Sequence, residues 1–153
     1  MTRSANQDLS AETHLGQTPK ATSGVGAILI VDDEQMIRAT LERMLRPPHR
    51  VTHAESARAA LELIASGQRF DLVLCDLMMP GMNGMELYQA LRQSCPEQAE
   101  RMLFMTGGAY TAWGEQFLAQ IPNSQLEKPF APSQVRALVA VELERFGALQ
   151  AAQ

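Results

Sequence analysis

The feature that most constrains the fold is a short apolar run that ends on one carboxylate. Residues 72–75, Leu-Val-Leu-Cys, are followed by Asp76, by a turn-forming segment at Met79-Pro80-Gly81, and by a helical pattern after Asn83-Gly84. Four apolar residues are too few for a helix, and the flanking Pro and Gly favour a buried strand. A carboxylate at the carboxyl end of such a strand lies where open α/β sheets bind ligands. The rest of the sequence can be judged by what it brings near Asp76.

Short apolar runs and amphipathic patterns predict five strands that alternate with five helices. The strands are predicted over residues 27–31, 50–53, 71–75, 102–105 and 125–127. The last helix is expected to start near Pro132 and to bury Phe146, and Ser56 is expected to cap the second helix. This alternation favours a parallel sheet covered by helices on both faces. Right-handed crossovers then place the carboxyl ends of all the strands at one edge of the sheet.

Four of the five predicted strands deliver a polar or charged group to that edge: Asp32 and Asp33, Asp76, Thr106, and Lys128. Three carboxylates at one site repel each other unless a cation neutralises them or some stay protonated. Mg²⁺ prefers oxygen ligands, few carboxylates and several retained waters. We expect Asp33 and Asp76 to bind it directly and Asp32 to bind it through a water. The backbone carbonyl of Met78 is expected to complete the protein's share.

The remaining groups suit a phosphoryl group. Lys128 is a positive charge that can pair with a phosphate oxygen, and Thr106 offers a hydroxyl donor. Asp76 would be the nucleophile, since carboxylates form covalent phosphoryl intermediates. A cation, a lysine and a hydroxyl around the equatorial oxygens are what phosphoryl transfer needs. Each residue alone has an ordinary explanation as a helix cap, a turn or a strand end, but their common position favours a site.

Four segments of the sequence resemble the response regulator receiver domain, the phosphoacceptor module of two-component signalling. They are ILIVDDE, LVLCDLMMPGMNGMEL, FMTGG and LEKPF. The gaps that separate Asp33, Asp76, Thr106 and Lys128 also match the pattern of that family. The resemblance covers residues 27 to about 146. The segments FMTGGAY and LEKPF are most similar to those of receivers of hybrid histidine kinases.

The resemblance implies a flavodoxin-like, doubly wound α/β fold, (βα)5, with five parallel strands in the order 2-1-3-4-5. It implies that Asp76 accepts a phosphoryl group, with Mg²⁺ bound, from the phosphohistidine of a sensor histidine kinase or a histidine phosphotransfer protein. It also implies a cis bond before Pro129. The chain would be a signalling module that switches a surface for a downstream protein, and not an enzyme with its own substrate. Gln125 departs from the pattern, because many receivers carry an aromatic residue there. Tyr110 and Trp113 lie near the loop after Thr106 and are candidates to replace that aromatic residue, but the favoured interpretation is that they are ordinary, partly buried aromatic residues.

The chain is expected to divide into a disordered tail over residues 1–26, a receiver domain over 27–146, and a C-terminal tail over 147–153. The first segment is polar and has no helical or strand period. A net charge of −4 gives no basic face for nucleic acid, and no apolar stretch is long enough to span a membrane. Without a signal peptide, the expected location is the cytoplasm. Cys75 and Cys95 are expected to be buried free thiols.

Two other classes of protein are alternatives. A Mg²⁺-dependent phosphohydrolase would also use an aspartyl nucleophile, but haloacid-dehalogenase-type enzymes carry an acid two residues beyond it. Those enzymes place an Asp-x-Asp pair after the first strand, whereas here that strand ends in Asp32-Asp33-Glu34 and Asp76 is followed by Leu77-Met78, so neither place has the pair. A flavin carrier of the same fold would need a phosphate loop rich in Gly, Ser and Thr after the first strand, and that loop is absent.

Overall fold

The computed structural model describes residues 25–107 and 112–152, with side chains up to Gly147. This part of the chain forms five strands and six helices. In chain order they are β1 (Ala27–Val31), α1 (Gln35–Leu45), β2 (Arg50–Ala54), α2 (Ala57–Ala65), β3 (Leu72–Asp76), α3 (Gly84–Ser94), α4 (Pro96–Glu100), β4 (Met102–Gly107), α5 (Ala112–Ala119), β5 (Gln125–Lys128) and α6 (Pro132–Ala152). Within the described ranges, none of the helices combines the length and the apolar character needed to cross a membrane.

The five strands form one parallel sheet in the order β2-β1-β3-β4-β5. This confirms the predicted α/β fold and the strand order 2-1-3-4-5. β3 is the central strand, and all five of its residues are buried. Because every strand runs in the same direction, the carboxyl ends of β1, β3, β4 and β5 lie at one edge, with Asp76 beside Met105 of β4.

Alternate residues of the strands pack on opposite faces of the sheet, which is the period of a β-strand. On one face, Val73, Cys75 and Phe104 pack against α2, α3 and α5. On the other face, Leu72, Leu74 and Leu103 pack against α1 and α6. Both faces are therefore covered, as the apolar runs predicted. Three rings, those of Tyr88, Phe104 and Phe117, meet edge to face with centroids 5.5–6.0 Å apart.

The structure differs from the sequence-based expectation in one helix and at both ends of the fold. The short helix α4, which begins with a proline at Pro96, was not predicted. Helix α6 continues through Ala152, although a tail was expected from residue 147; the segment after Gly147 is rich in Ala, which has the highest helix propensity. Gly26 was assigned to the tail, but its N–H donates to His49 Nδ1 at 3.1 Å and its carbonyl accepts from the Arg50 N–H at 2.9 Å. Residues 1–24 of the predicted tail lie outside the described residues.

Two helices begin with side-chain caps that the sequence indicated or allowed. Ser56 Oγ accepts from the Ala59 N–H at the start of α2, as predicted. At the start of α3, Asn83 and Glu86 form a reciprocal capping box, with both bonds at 2.9 Å. The capping box fixes the first turn of α3 directly behind the end of β3. The Gly84 N–H donates to the Leu77 carbonyl at 2.9 Å, which ties that turn to the loop after Asp76.

Gly84 allows this close approach, and replacing it is expected to destabilise the fold. A Cβ at position 84 would lie 2.7 Å from the Asp76 carbonyl oxygen and 3.0 Å from the Leu77 Cα, both backbone atoms. Gly84→Ala is therefore expected to lower the free energy of unfolding by about 1–3 kcal/mol, as overpacking does. The control is Gly107→Ala, whose Cβ would meet only the Lys128 side chain, at 3.4 Å. Urea denaturation of both variants measures the difference in the free energy of unfolding. Equal stabilities would show that the backbone of the loop after β3 can shift to accept a Cβ at position 84, and would contradict the prediction.

Candidate functional site

The residues predicted to form a site lie together at the carboxyl edge of the sheet. Asp32 follows β1 and is fully buried, Asp76 ends β3 and is 7% exposed, and Thr106 in β4 is 5% exposed. Carboxylate oxygens of Asp32, Asp33 and Asp76 lie within 4.8 Å of one another. The sequence pattern therefore identified side chains that the fold brings into one place.

Lys128, the last residue of β5, reaches across the edge to two of these carboxylates. Its Nζ lies 3.2 Å from Asp32 Oδ2 and 3.5 Å from Asp76 Oδ1. The bond between Lys128 and Pro129 is cis, as the resemblance implied. One lysine thus pairs with two of the three carboxylates, which leaves the cluster with a net negative charge.

Asp32 is held in place by hydrogen bonds at each of its polar groups. Its N–H donates to the Ala54 carbonyl at 3.2 Å, and its Oδ1 accepts from the Glu34 N–H at 2.9 Å. Its carbonyl accepts from Arg38 Nη1 at 2.7 Å, and its Oδ2 faces Lys128. The residue at the N-cap of α1 is Glu34, which makes no side-chain capping bond. The alternative in which the acidic pair serves only to cap this helix therefore loses its structural basis.

Burial and the neighbouring charges set the pKa values of the site. Burial raises the pKa of Asp76 to about 6, and the carboxylates of Asp32 and Asp33 act in the same direction. Lys128 and a hydrogen bond from the Met78 backbone N–H lower the same pKa but do not cancel the rise. For Lys128, burial lowers the pKa, but the carboxylates of Asp76 and Asp32 outweigh that effect and raise it. The site therefore destabilises ionised Asp76 and stabilises a cation.

The donor set fits a hard divalent cation. Carboxylate oxygens from three residues converge, two of the residues are buried, and the third, Asp33, is exposed to solvent that can supply waters. Mg²⁺ takes oxygen ligands and keeps several waters. The carbonyl of Met78 is expected to be a further ligand and stays a prediction.

The raised pKa of Asp76 predicts a stability that depends on pH. Because the folded-state pKa of about 6 exceeds the ordinary 3.8, the protonated carboxyl favours folding below pH 4, and this stabilisation is lost as the pH rises through 6. Without Mg²⁺, Asp76→Asn is therefore expected to be more stable than the unsubstituted protein at neutral pH. Two pKa units correspond to about 3 kcal/mol, and solvent screening reduces this to about 1–2 kcal/mol. Urea denaturation at neutral and at acidic pH measures the gap, which should close in acid; a gap independent of pH would contradict the prediction.

Gln125, which stands at the position of the missing aromatic residue, and Trp113, a candidate to replace that residue, are both exposed. Gln125 is exposed at the start of β5, beside Phe104 of β4. Trp113 is 63% exposed at the start of α5, so its ring is mostly in solvent. Tyr110 and Gly108 lie outside the described residues.

Cys75 and Cys95 are buried free thiols, as expected. Arg38 and Gly84 are not recognisable as important from the sequence alone, because their roles depend on contacts across the fold.

Comparison with known proteins agrees with the fold. The family model of the response regulator receiver domain matches residues 28–140. The transcriptional regulatory protein YrkP of Bacillus subtilis is 32% identical over 120 residues, which are 78% of this chain and 50% of that protein. The sensor kinase CckA of Brucella abortus is 33% identical over 130 residues, 82% of this chain and 14% of that protein. The chain thus spans half or less of the length of these two relatives.

Solved structures of receiver domains have a similar fold. A CheY-like receiver domain protein from Methanospirillum hungatei superposes with a TM-score of 0.67 at 23% identity, over 78% of this chain and 95% of that one. The chemotaxis protein CheY4 of Vibrio cholerae gives a TM-score of 0.64 at 28% identity, over 75% of this chain and 96% of that one. The first likeness concerns the fold alone, while the family match covers most of the chain, from β1 into the first half of α6. The chain belongs to the family of response regulator receiver domains.

Proposed function

We propose that the chain is the phosphoacceptor of a phosphorelay. Asp76 takes a phosphoryl group, with Mg²⁺ bound, from the phosphohistidine of a sensor histidine kinase or a histidine phosphotransfer protein. The observation that carries the proposal is the environment of Asp76 at the end of the central strand. Two further carboxylates have oxygens within 4.8 Å, and Lys128 Nζ lies 3.5 Å from Asp76 Oδ1. The cytoplasm, where kinases present their phosphohistidines, is the proposed location.

The residues divide the chemistry among them. An ionised oxygen of Asp76 attacks phosphorus, the bond between phosphorus and the imidazole nitrogen of the donor breaks, and the electron pair of that bond stays on the nitrogen. With a pKa of about 6, Asp76 is mostly ionised at neutral pH. Lys128 can turn from the carboxylates toward a phosphoryl oxygen, because it is partly exposed. Thr106 donates its hydroxyl to another phosphoryl oxygen.

A divalent cation would supply positive charge at the developing phosphoryl oxygens. Asp33 and Asp76 would hold it directly, Asp32 would act through a water, and the Met78 carbonyl would complete the set. Asp32 is fully buried and already accepts hydrogen bonds from Glu34 and Lys128, which suits an indirect role. Asp33 is exposed and suits direct ligation.

The relatives support a signalling partner and leave its identity open. One relative, CckA, is a sensor kinase, and another, the transcriptional regulatory protein ResD of Bacillus subtilis, is 34% identical over 121 residues. We therefore propose that this chain acts by binding a downstream protein once phosphorylated, and that phosphotransfer and loss of the phosphoryl group are its only chemistry. An acid two residues beyond Asp76, which a phosphohydrolase of the haloacid-dehalogenase type would need, is replaced by Met78.

Labelling by a small phosphodonor tests the proposal. The protein is incubated with acetyl phosphate and Mg²⁺, and its intact mass is measured with and without excess chelator. Uptake of one phosphoryl group is expected with Mg²⁺ only, and borohydride reduction followed by peptide mass analysis should locate it at Asp76. Equal uptake with and without the chelator, or a modified residue elsewhere in the chain, would contradict the proposal.

A further inference from the structure

Arg38 makes a contact that no part of the proposed chemistry explains. It lies in the first turns of α1, and its Nη1 donates to the carbonyl of Asp32 at 2.7 Å. That carbonyl lies six residues earlier, before the helix begins, so the bond closes the turn between β1 and α1. Arg38 also borders a cavity of about 560 Å³ beside β2, which is lined further by His53, Glu55 and Glu62.

The bonded carbonyl belongs to the peptide unit that carries the Asp33 N–H. A peptide unit is planar, so fixing the direction of its C=O also fixes the plane of its N–H and the start of the next residue. Among the described residues, no hydrogen bond or ion pair holds the Asp33 carboxylate itself. The direction in which Asp33 leaves the backbone therefore depends on how firmly this peptide is held.

The burial of Arg38 argues against a purely stabilising role. Within the described part of the chain, its Nε is buried and has no hydrogen-bond partner. A buried donor without a partner opposes folding by about 1–3 kcal/mol. An arginine at this position thus has a cost that a shorter or apolar side chain would avoid, which fits a residue retained for geometry.

We propose that Arg38 is a positioning residue for the cation site, holding the Asp32–Asp33 peptide so that the Asp33 carboxylate points at the carboxylates of Asp32 and Asp76. This inference rests on the proposed Mg²⁺ site. It assigns Arg38 no contact with the metal or with the phosphoryl group. It makes the β1–α1 turn, and not only the acidic side chains, a determinant of the affinity for Mg²⁺.

Charge and geometry predict opposite effects of removing Arg38. A positive charge near an acidic site repels a cation, so a purely electrostatic role predicts that Mg²⁺ binds more tightly in Arg38→Met. A positioning role predicts weaker binding, because partners that orient metal ligands typically contribute about tenfold or more to affinity. The sign of the change in Mg²⁺ affinity therefore separates the two roles.

Isothermal titration calorimetry with Mg²⁺ alone tests the proposal. Arg38→Met is expected to bind about tenfold more weakly than the unsubstituted protein, while its urea denaturation midpoint without Mg²⁺ changes little. Arg38→Lys keeps a donor and should recover part of the affinity. Arg43→Met removes the same charge from an exposed position of α1 and serves as the matched control, with affinity unchanged or slightly raised.

A second measurement does not involve the metal. Amide hydrogen exchange at Asp32 and Glu34, whose N–H groups donate to the Ala54 carbonyl and to Asp32 Oδ1, is expected to be faster in Arg38→Met than in the unsubstituted protein or in Arg43→Met. Equal or tighter Mg²⁺ binding by Arg38→Met, with unchanged exchange at Asp32 and Glu34, would overturn the positioning role and leave the phosphoacceptor proposal standing. No Mg²⁺ binding by the unsubstituted protein would overturn both. If Arg38→Met does not fold, Arg38→Lys and Arg38→Gln are compared in the same two measurements, and affinities equal to that of the unsubstituted protein would overturn the proposal.

Discussion

Asp76→Asn is expected to abolish uptake of a phosphoryl group from acetyl phosphate or from a histidine kinase. The amide has nearly the size of the carboxylate but is not a nucleophile at neutral pH. Asp32 cannot take over, because it is fully buried and both of its oxygens face hydrogen-bond donors. The expected result is complete loss of the hydroxylamine-sensitive label, measured by intact mass with Mg²⁺ present.

Loss of folding would not account for that result. Since the buried carboxylate is destabilised when ionised, the Asn variant should be at least as stable as the unsubstituted protein at neutral pH. Glu97→Gln is the matched control: it removes one exposed carboxylate from α4, which precedes β4 and lies away from the carboxyl edge, and should label fully. Full labelling of Asp76→Asn would mean that another side chain is the acceptor.

Local patterns predicted the sheet because each strand is short, apolar and bounded by residues that break regular structure. Residues 72–75 are all buried, so the run carries no alternation and indicates a central strand without further information. The edge that holds the site followed from the handedness of crossovers, which is a property of the chain and not of particular side chains. The place of Asp76 could therefore be predicted before any contact was known.

Other features depend on contacts that a local pattern does not contain. Asp32 and Asp33 are adjacent in sequence, yet one is fully buried and the other is exposed. The bond from Arg38 to the Asp32 carbonyl depends on how α1 leaves the sheet, and in sequence Arg38 is only a polar residue of an amphipathic helix. Helix α4 has five residues, which is too short for a helical period to show.

The ends of the fold were missed for a related reason. Gly26 lies in a polar, glycine-containing segment, and only the pairing of β1 with β2 gives its N–H and carbonyl their partners, His49 and Arg50. The end of α6 was placed where its buried side chains end, at Phe146. The helix continues because the residues after Gly147 are rich in Ala, which has high helix propensity.

Asp33→Ala is expected to weaken Mg²⁺ binding at least tenfold, or by about 1.4 kcal/mol. The ion pairs of Lys128 in the described part of the chain go to Asp32 and Asp76, so the charge of Asp33 is left for a cation. Asp33 does not cap α1, whose N-cap is Glu34, so removing its side chain should leave the helix intact. Isothermal titration calorimetry with Mg²⁺ measures the effect.

The matched control for this change is Glu34→Gln. It removes the same charge one residue later, from an exposed side chain that is not part of the carboxylate cluster. If Asp33 is a ligand, the Glu34 variant should lose much less affinity than the Asp33 variant, because only direct coordination requires the oxygen itself. Asp33→Asn should fall between them, since its amide oxygen can still coordinate but carries no full charge. Equal losses in Asp33→Ala and Glu34→Gln would mean that Asp33 acts only through the general negative field of the edge, and unchanged binding in Asp33→Ala would remove it from the site.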